Sequence, residues 1–241
     1  MRSLIIALLL LFTCSSCAVN TNQNPGEPAQ TEETMPVYFH RTTALPVITE
    51  KEAVIQKDDT WQLKTSQEGI PVYTREVAGS PILAYKANVI LDVPIAKAIT
   101  LFEDESQIHR WYFQCVHSEL VEKKSPKEEI IYLVLHLPWP VAPRDFVFKR
   151  TRTEDPASGT ISYTLTALPD RLPHVKGIIR VETIESVWQF KALPNGKTNF
   201  SFQQHTDPVG SIPPSIVNKL AVQTPFNSLK NFRDLVSEKK A

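Results

Sequence analysis

Prolines set the boundaries of this chain. There are 19 in 241 residues, and they gather at two places that constrain the fold: LPWPVAPRDFV at 137–147 and HTDPVGSIPP at 205–214. Proline fixes φ and offers no backbone N–H, so neither segment can continue a sheet through its middle. The first reads as a rigid loop that holds Trp139 between Pro138 and Pro140 and feeds an apolar strand at 146–150. The second reads as a turn that launches the last helix.

Around these breaks the hydrophobic periodicity is mostly that of strands. A short helix is expected near Glu50, then strands at 61–63, 69–75 and 82–91, the last alternating through Leu83, Tyr85, Ala87 and Val89. Asp92 before Pro94 fits an N-cap for a helix through Ile95, Ala98, Ile99 and Phe102, and a short helix holds 108–111. Further strands are expected at 114–121, 130–137, 144–152, 160–165, 176–184, 186–192 and 198–205, with Asn195-Gly196 marking a tight hairpin. A helix capped by Ser211 then runs to 237, with Pro213 and Pro214 in its first turn and Pro225 expected to kink or break it. Val222, Phe226, Leu229, Phe232 and Val236 form one apolar stripe along it. The implied class is α+β: a sheet of many consecutive hairpins must curl, and one long helix can cover its concave face.

The two proline segments, in this order and spacing, resemble the START family, the steroidogenic-acute-regulatory-related lipid-transfer domains, over about 61–235. The resemblance implies a helix-grip, START-like sheet wrapped around the C-terminal helix, with an internal cavity that takes a single lipid or other hydrophobic ligand. It implies lipid transfer or sensing in the cell envelope rather than catalysis. The alternative is a small-molecule enzyme, cyclase- or aromatase-like, using the same helix-grip cavity; a tethered adaptor with a filled core is a third reading. No cofactor and no metal are expected. The six histidines make no HExxH, and there is no CxxC, no GxSxG elbow and too few glycines for a phosphate loop.

The candidate site residues follow from strand phase and from the resemblance together. Phe146, Phe148 and Arg150 share one face of their strand, so Arg150 either lies inside with the phenylalanines or sits near the strand end with its head in water. In START relatives an arginine six residues after the Arg of Arg-Asp-Phe lies in the cavity beside a polar head or a carboxylate. A buried guanidinium needs a partner. The preceding strand, read as IIYLVLHL at 130–137, contains no acid, leaving Tyr132 and His136 on one face as its polar groups and leaving room for an anionic lipid head. Arg144 and Asp145 look structural. Phe226 and Leu229 would complete the cavity from the terminal helix, or simply pack as core. Trp139 suits a cavity mouth that touches a membrane surface, its ring being apolar at one end and a donor at the other. Asp207, Gly210 and Val222 belong to the same mouth, the first two as the turn before the gate helix.

The N-terminus reads as a targeting segment. Arg2 precedes an apolar run at 4–12 that is too short to span a bilayer, and Cys14-Ser-Ser-Cys17 resembles a lipobox with Cys17 as the lipidated residue. The expected organisation is a signal peptide at 1–17, a flexible linker at 18–49 rich in Asn, Gln, Thr, Pro and Glu, and a lipid-binding domain at 50–241. Ala18 after the cysteine resembles the signal for the periplasmic side of the outer membrane; a soluble periplasmic protein is the alternative. Net charge is zero, with no basic block longer than a pair, which argues against nucleic acid as a partner. The expected partners are a lipid and a membrane surface, and the expected state is monomeric. Cys115 reads as a small core residue.

Overall fold

A computed structural model describes residues 61–139, 141–210 and 212–238. The expected leader, Cys17, the linker, the helix near Glu50 and the Ser211 cap lie outside the described residues. Strands β1 (Gln62–Gln67), β2 (Ile70–Val77) and β3 (Ser80–Leu91) form a meander, followed by helices α1 (Ile95–Phe102) and α2 (Ile108–Trp111). Strands β4 (Cys115–Ser125), β5 (Glu128–Leu135), β6 (Arg144–Asp155), β7 (Thr160–Ala167), β8 (Ile179–Arg180), β9 (Glu185–Ala192) and β10 (Thr198–His205) follow, and helix α3 (Pro214–Ser237) closes the chain. The strands join in the order β1-β2-β3-β10-β9-β7-β6-β5-β4, antiparallel throughout. This is the helix-grip arrangement that the START resemblance implies.

The concave face is built by strict alternation. On β9 and β10 the inward residues are Trp188 and Phe190 against Phe202 and Phe200, directly opposite one another in register. Their rings stack, with centroids 4.1 Å apart for Trp188–Phe202 and 4.2 Å for Phe190–Phe200. Such cross-strand aromatic pairs stabilise a sheet beyond their area. Phe102, at the end of α1, plugs this floor with its ring 4.7 Å from Tyr163 and 5.0 Å from Phe190. One end of the grip is therefore a solid aromatic core, and unfilled space lies toward the other.

Four local expectations are corrected. Asp92 does not cap α1: Pro94 occupies the cap position without a side-chain bond, and Asp92 instead pairs with Lys197 Nζ at 2.7 Å. The strand expected at 176–184 shrinks to β8, which pairs parallel with β6. The strand expected at 130–137 is β5, which begins at Glu128. Pro225 does not break the last helix, which runs unbroken from Pro214 to Ser237 with the Pro225 ring buried.

Candidate functional site

Two small chambers lie between the concave face and the helices, with volumes of ≈ 50 Å³ and ≈ 90 Å³. The inner one is lined by Phe102, Trp111, Phe148, Arg150, Leu165 and Trp188 among others. The outer one is roofed by Val217, Leu220, Ala221 and Thr224 of α3, and its rim includes Leu137, Pro208 and Ile212. Tyr112, Leu135, Phe146 and Gln204 line both and form the waist between them. Ligand cavities usually enclose ~300–1,000 Å³, so a lipid enters only if the chambers merge and widen.

Strand register places a row of polar side chains across the floor. Glu129 on β5 lies opposite Arg150 on β6, which lies opposite Leu165 on β7; Leu165 faces Ser186 on β9, Ser186 faces Gln204 on β10, and Gln204 faces Tyr85 on β3. Inside, Arg150 is 3% exposed and its charge is answered at once. Its Nη2 donates to Glu129 Oε2 at 2.6 Å and to Glu105 Oε1 at 3.4 Å, and its Nη1 donates to the Phe102 carbonyl at 2.9 Å. Burial opposes ionisation of Glu129, but hydrogen bonds from Lys123 and Arg150 outweigh it and hold the carboxyl below its usual range. Burial pushes Glu105 the other way, raising it. The expectation that the strand preceding Arg150 brings no acid is thus overturned. Glu129 stands in phase with Ile131, Leu133 and Leu135, a signal that the earlier start of β5 makes legible.

Tyr132 and His136 are placed on the opposite face of β5, away from both chambers. Tyr132 donates its hydroxyl to Asp145 Oδ2 at 3.3 Å, and His136 is exposed. Alternation decides this: Leu133 and Leu135 line the chambers, so residues 132 and 136 cannot. Phe146, Phe148 and Arg150 do line the inner chamber. On α3, Leu229 is fully buried in the core, and Phe226 and Val222 pack against it half-buried; none of the three lines a chamber. The lining face of α3 lies one turn earlier, at Val217–Thr224. Cys115 is buried in the core, and burial pushes its thiol up to about 11.

The mouth is held by Arg144. Its guanidinium donates to the carbonyls of Ala142, Pro208 (3.1 Å) and Val209 (2.7 Å), tying the loop before β6 to the turn before α3. Asp207 Oδ1 accepts from the Val209 N–H at 2.9 Å, and the turn carries positive φ at Val209 (56°) and Gly210 (79°). A Cβ at Gly210 would meet Ile179 Cδ1 at 3.2 Å and Arg144 Nη2 at 3.4 Å, so only glycine fits there unstrained. Asp145, on the outer face, pairs with Arg180 at 2.8 Å, both side chains almost wholly buried. Trp139 stands 92% exposed on the loop beside the outer chamber's Leu137.

The pattern that defines the START domain family matches residues 49–241. An uncharacterised protein of Pseudomonas aeruginosa is 32% identical over 181 residues, 75% of this chain and 89% of that protein. Phosphatidylcholine transfer protein of Bos taurus is 24% identical over 174 residues, 71% of this chain and 81% of its own length. Among solved structures, a fragment of a STAR-related lipid transfer protein from Xanthomonas axonopodis superposes with a TM-score of 0.70 at 32% identity, covering 75% of this chain and 100% of the fragment. Human StAR-related lipid transfer protein 5 superposes with a TM-score of 0.69 at 19% identity, covering 75% of this chain and 88% of its own, a likeness of fold.

Proposed function

The chain belongs to the START domain family, and from that premise we propose that it binds one lipid or similar apolar molecule inside the grip and carries it without chemical change. The observation that supports this reading is the pair of chambers between the concave face and the helices, walled by Phe146, Phe148, Leu135 and Trp188 and separated by the waist they share. Burying an alkyl tail there is worth ~0.8 kcal/mol per methylene. The names of the bovine and Xanthomonas relatives, both lipid transfer proteins, support the same class of cargo.

Entry is by the N-terminal half of α3. Val217 and Ala221 are buried there, and Asn218 holds β3, accepting from the Leu83 N–H at 3.0 Å and donating to the Pro81 carbonyl at 3.3 Å. Opening must break these bonds, while Ile216 is exposed and most of the first turns face solvent. The C-terminal half is anchored: Ser228 accepts from the Phe113 N–H at 3.0 Å, Arg233 grips Glu68 at 2.8 Å, and Leu229, Phe232 and Val236 are core. Pro225, lacking an N–H, divides the two halves, so the first can lift with the Asp207–Gly210 turn while the second stays docked. The lipobox-like Cys14–Cys17 segment extends the proposal: a lipid on Cys17 would tether the domain to the periplasmic side of the outer membrane.

Native mass spectrometry of the full chain, with the released ligand identified and re-weighed after incubation, tests the reading. One stoichiometric apolar ligand of unchanged mass is expected. A ligand-free protein that takes up nothing from phospholipid vesicles, or a bound molecule that is chemically converted, would overturn it.

A further inference from the structure

The polar row across the floor divides into two parts that behave differently. At the Arg150 end, cation and anion satisfy each other. Glu129 lies 2.6 Å from the guanidinium, with Glu105 behind it, so an incoming anionic head would displace one carboxylate and meet another. At the Gln204 end the groups are uncharged and stand at the waist. Tyr85 and Ser186 flank Gln204 in register, on β3 and β9. Trp188 Nε1 donates to Ser186 Oγ at 2.7 Å, and Ser186 Oγ donates to Gln204 Oε1 at 3.3 Å. Across from them Tyr112, just past α2, has its pKa pushed up to about 12 by burial, against hydrogen bonds from Tyr85 and the Gln204 amide.

The hydrogen-bonding inventory leaves capacity in this cluster. Gln204 has two amide donors and two carbonyl lone pairs, and the bond from Ser186 uses one of the lone pairs; Tyr112 and Gln204 line both chambers side by side at the waist. Two residues of the inner chamber's lining carry a buried N–H without a hydrogen-bond partner among the described residues, Trp111 Nε1 and Arg150 Nε. The interior therefore combines apolar walls, a neutralised ion pair and, at the waist, the uncharged polar groups of Tyr112 and Gln204.

We propose that Tyr112 and Gln204, braced by Tyr85 and Ser186, form the specificity subsite of the cavity, reading one uncharged oxygen, a hydroxyl or carbonyl, on an otherwise apolar ligand. The proposal rests on the carrier reading above and names the class of its cargo. It assigns Arg150 to holding Glu129 and the α1–α2 connection, not to a charged head.

The test uses decanol, undecane (a methyl in place of the hydroxyl) and decyl phosphate as competitors for Nile red bound to the full chain. Tyr112→Phe combined with Gln204→Leu should weaken decanol about tenfold, the scale of one buried hydrogen bond, and leave undecane within about twofold. Unchanged undecane binding also reports an intact cavity, and Tyr112→Phe alone, which keeps the ring, should give part of the loss. Equal losses for decanol and undecane would overturn the subsite, as would decyl phosphate binding most tightly to the wild type. If none of the three displaces the dye, the carrier reading itself fails and the subsite with it.

Discussion

Removing Glu129 should cost this fold heavily. Arg150 is buried against it, and deleting one member of a buried ion pair costs ~3–5 kcal/mol because the other charge is stranded. Glu129→Ala should therefore lower the urea midpoint strongly, and Glu129→Leu with Arg150→Leu should recover much of the loss; equal damage from both would mean the pair is not what stabilises the region. A pH dependence follows with a defined sign. The folded pKa of Glu129 is lowered, through the hydrogen bonds of Lys123 and Arg150 acting against its burial. Between the folded and unfolded values the unfolded chain binds more protons, so stability rises with pH there. The contribution is full above the unfolded value of about 4.3 and is lost as pH falls through the folded one. Glu105, raised by burial, has the opposite sign. Urea midpoints measured from about pH 6 down to about pH 3 should fall less steeply in Glu129→Gln and more steeply in Glu105→Gln than in the wild type. That Arg150 would point inward could be read from its phase with Phe146 and Phe148. That its partner would be Glu129 could not, because a strand start shifted by two residues hides the acid.

At the scale of elements, Arg144 joins two segments far apart in sequence. It binds one carbonyl in the loop before β6 and two in the turn before α3, the turn on which the lifting of the helix would depend. Arg144→Met keeps much of the apolar stem and removes all three bonds, for a loss of ~1–3 kcal/mol. Deuterium uptake in 205–213 and 137–143 should rise while the β9–β10 hairpin is unaffected. Unchanged uptake in both segments would show that the turn is held by Asp207 and Gly210 alone. The proline pattern revealed both segments, and the Arg-Asp-Phe phase suggested a structural Arg144. Only the three-dimensional structure brings position 144 to positions 208 and 209.

At the scale of the molecule, the exposed Trp139 and the half-exposed start of α3 lie near the rim of the outer chamber, formed by Leu137, Pro208 and Ile212. A single indole suits a lipid–water boundary. Trp139→Ala should weaken association of the full chain with phosphatidylcholine vesicles several-fold by cosedimentation, with the melting temperature unchanged because the side chain touches little else. A lowered melting temperature with unaltered vesicle binding would instead make Trp139 a packing residue.

The sequence by itself determined the class of fold, the antiparallel run, the closing helix and the START likeness, because alternation, helical stripes and proline breaks are local signals that survive without the rest of the chain. It also placed Phe146, Phe148 and Arg150 on one face. Tertiary structure alone decided the content of the cavity. Register across six strands aligned Glu129, Arg150, Ser186, Gln204 and Tyr85 in one row. The helix crossing turned Val217–Thr224, not Phe226 and Leu229, toward the space beneath it. Alternation on β5 sent Tyr132 and His136 outward once Glu129 pointed in. These outcomes depend on which residues meet across long sequence separations, and no periodicity within one segment encodes that.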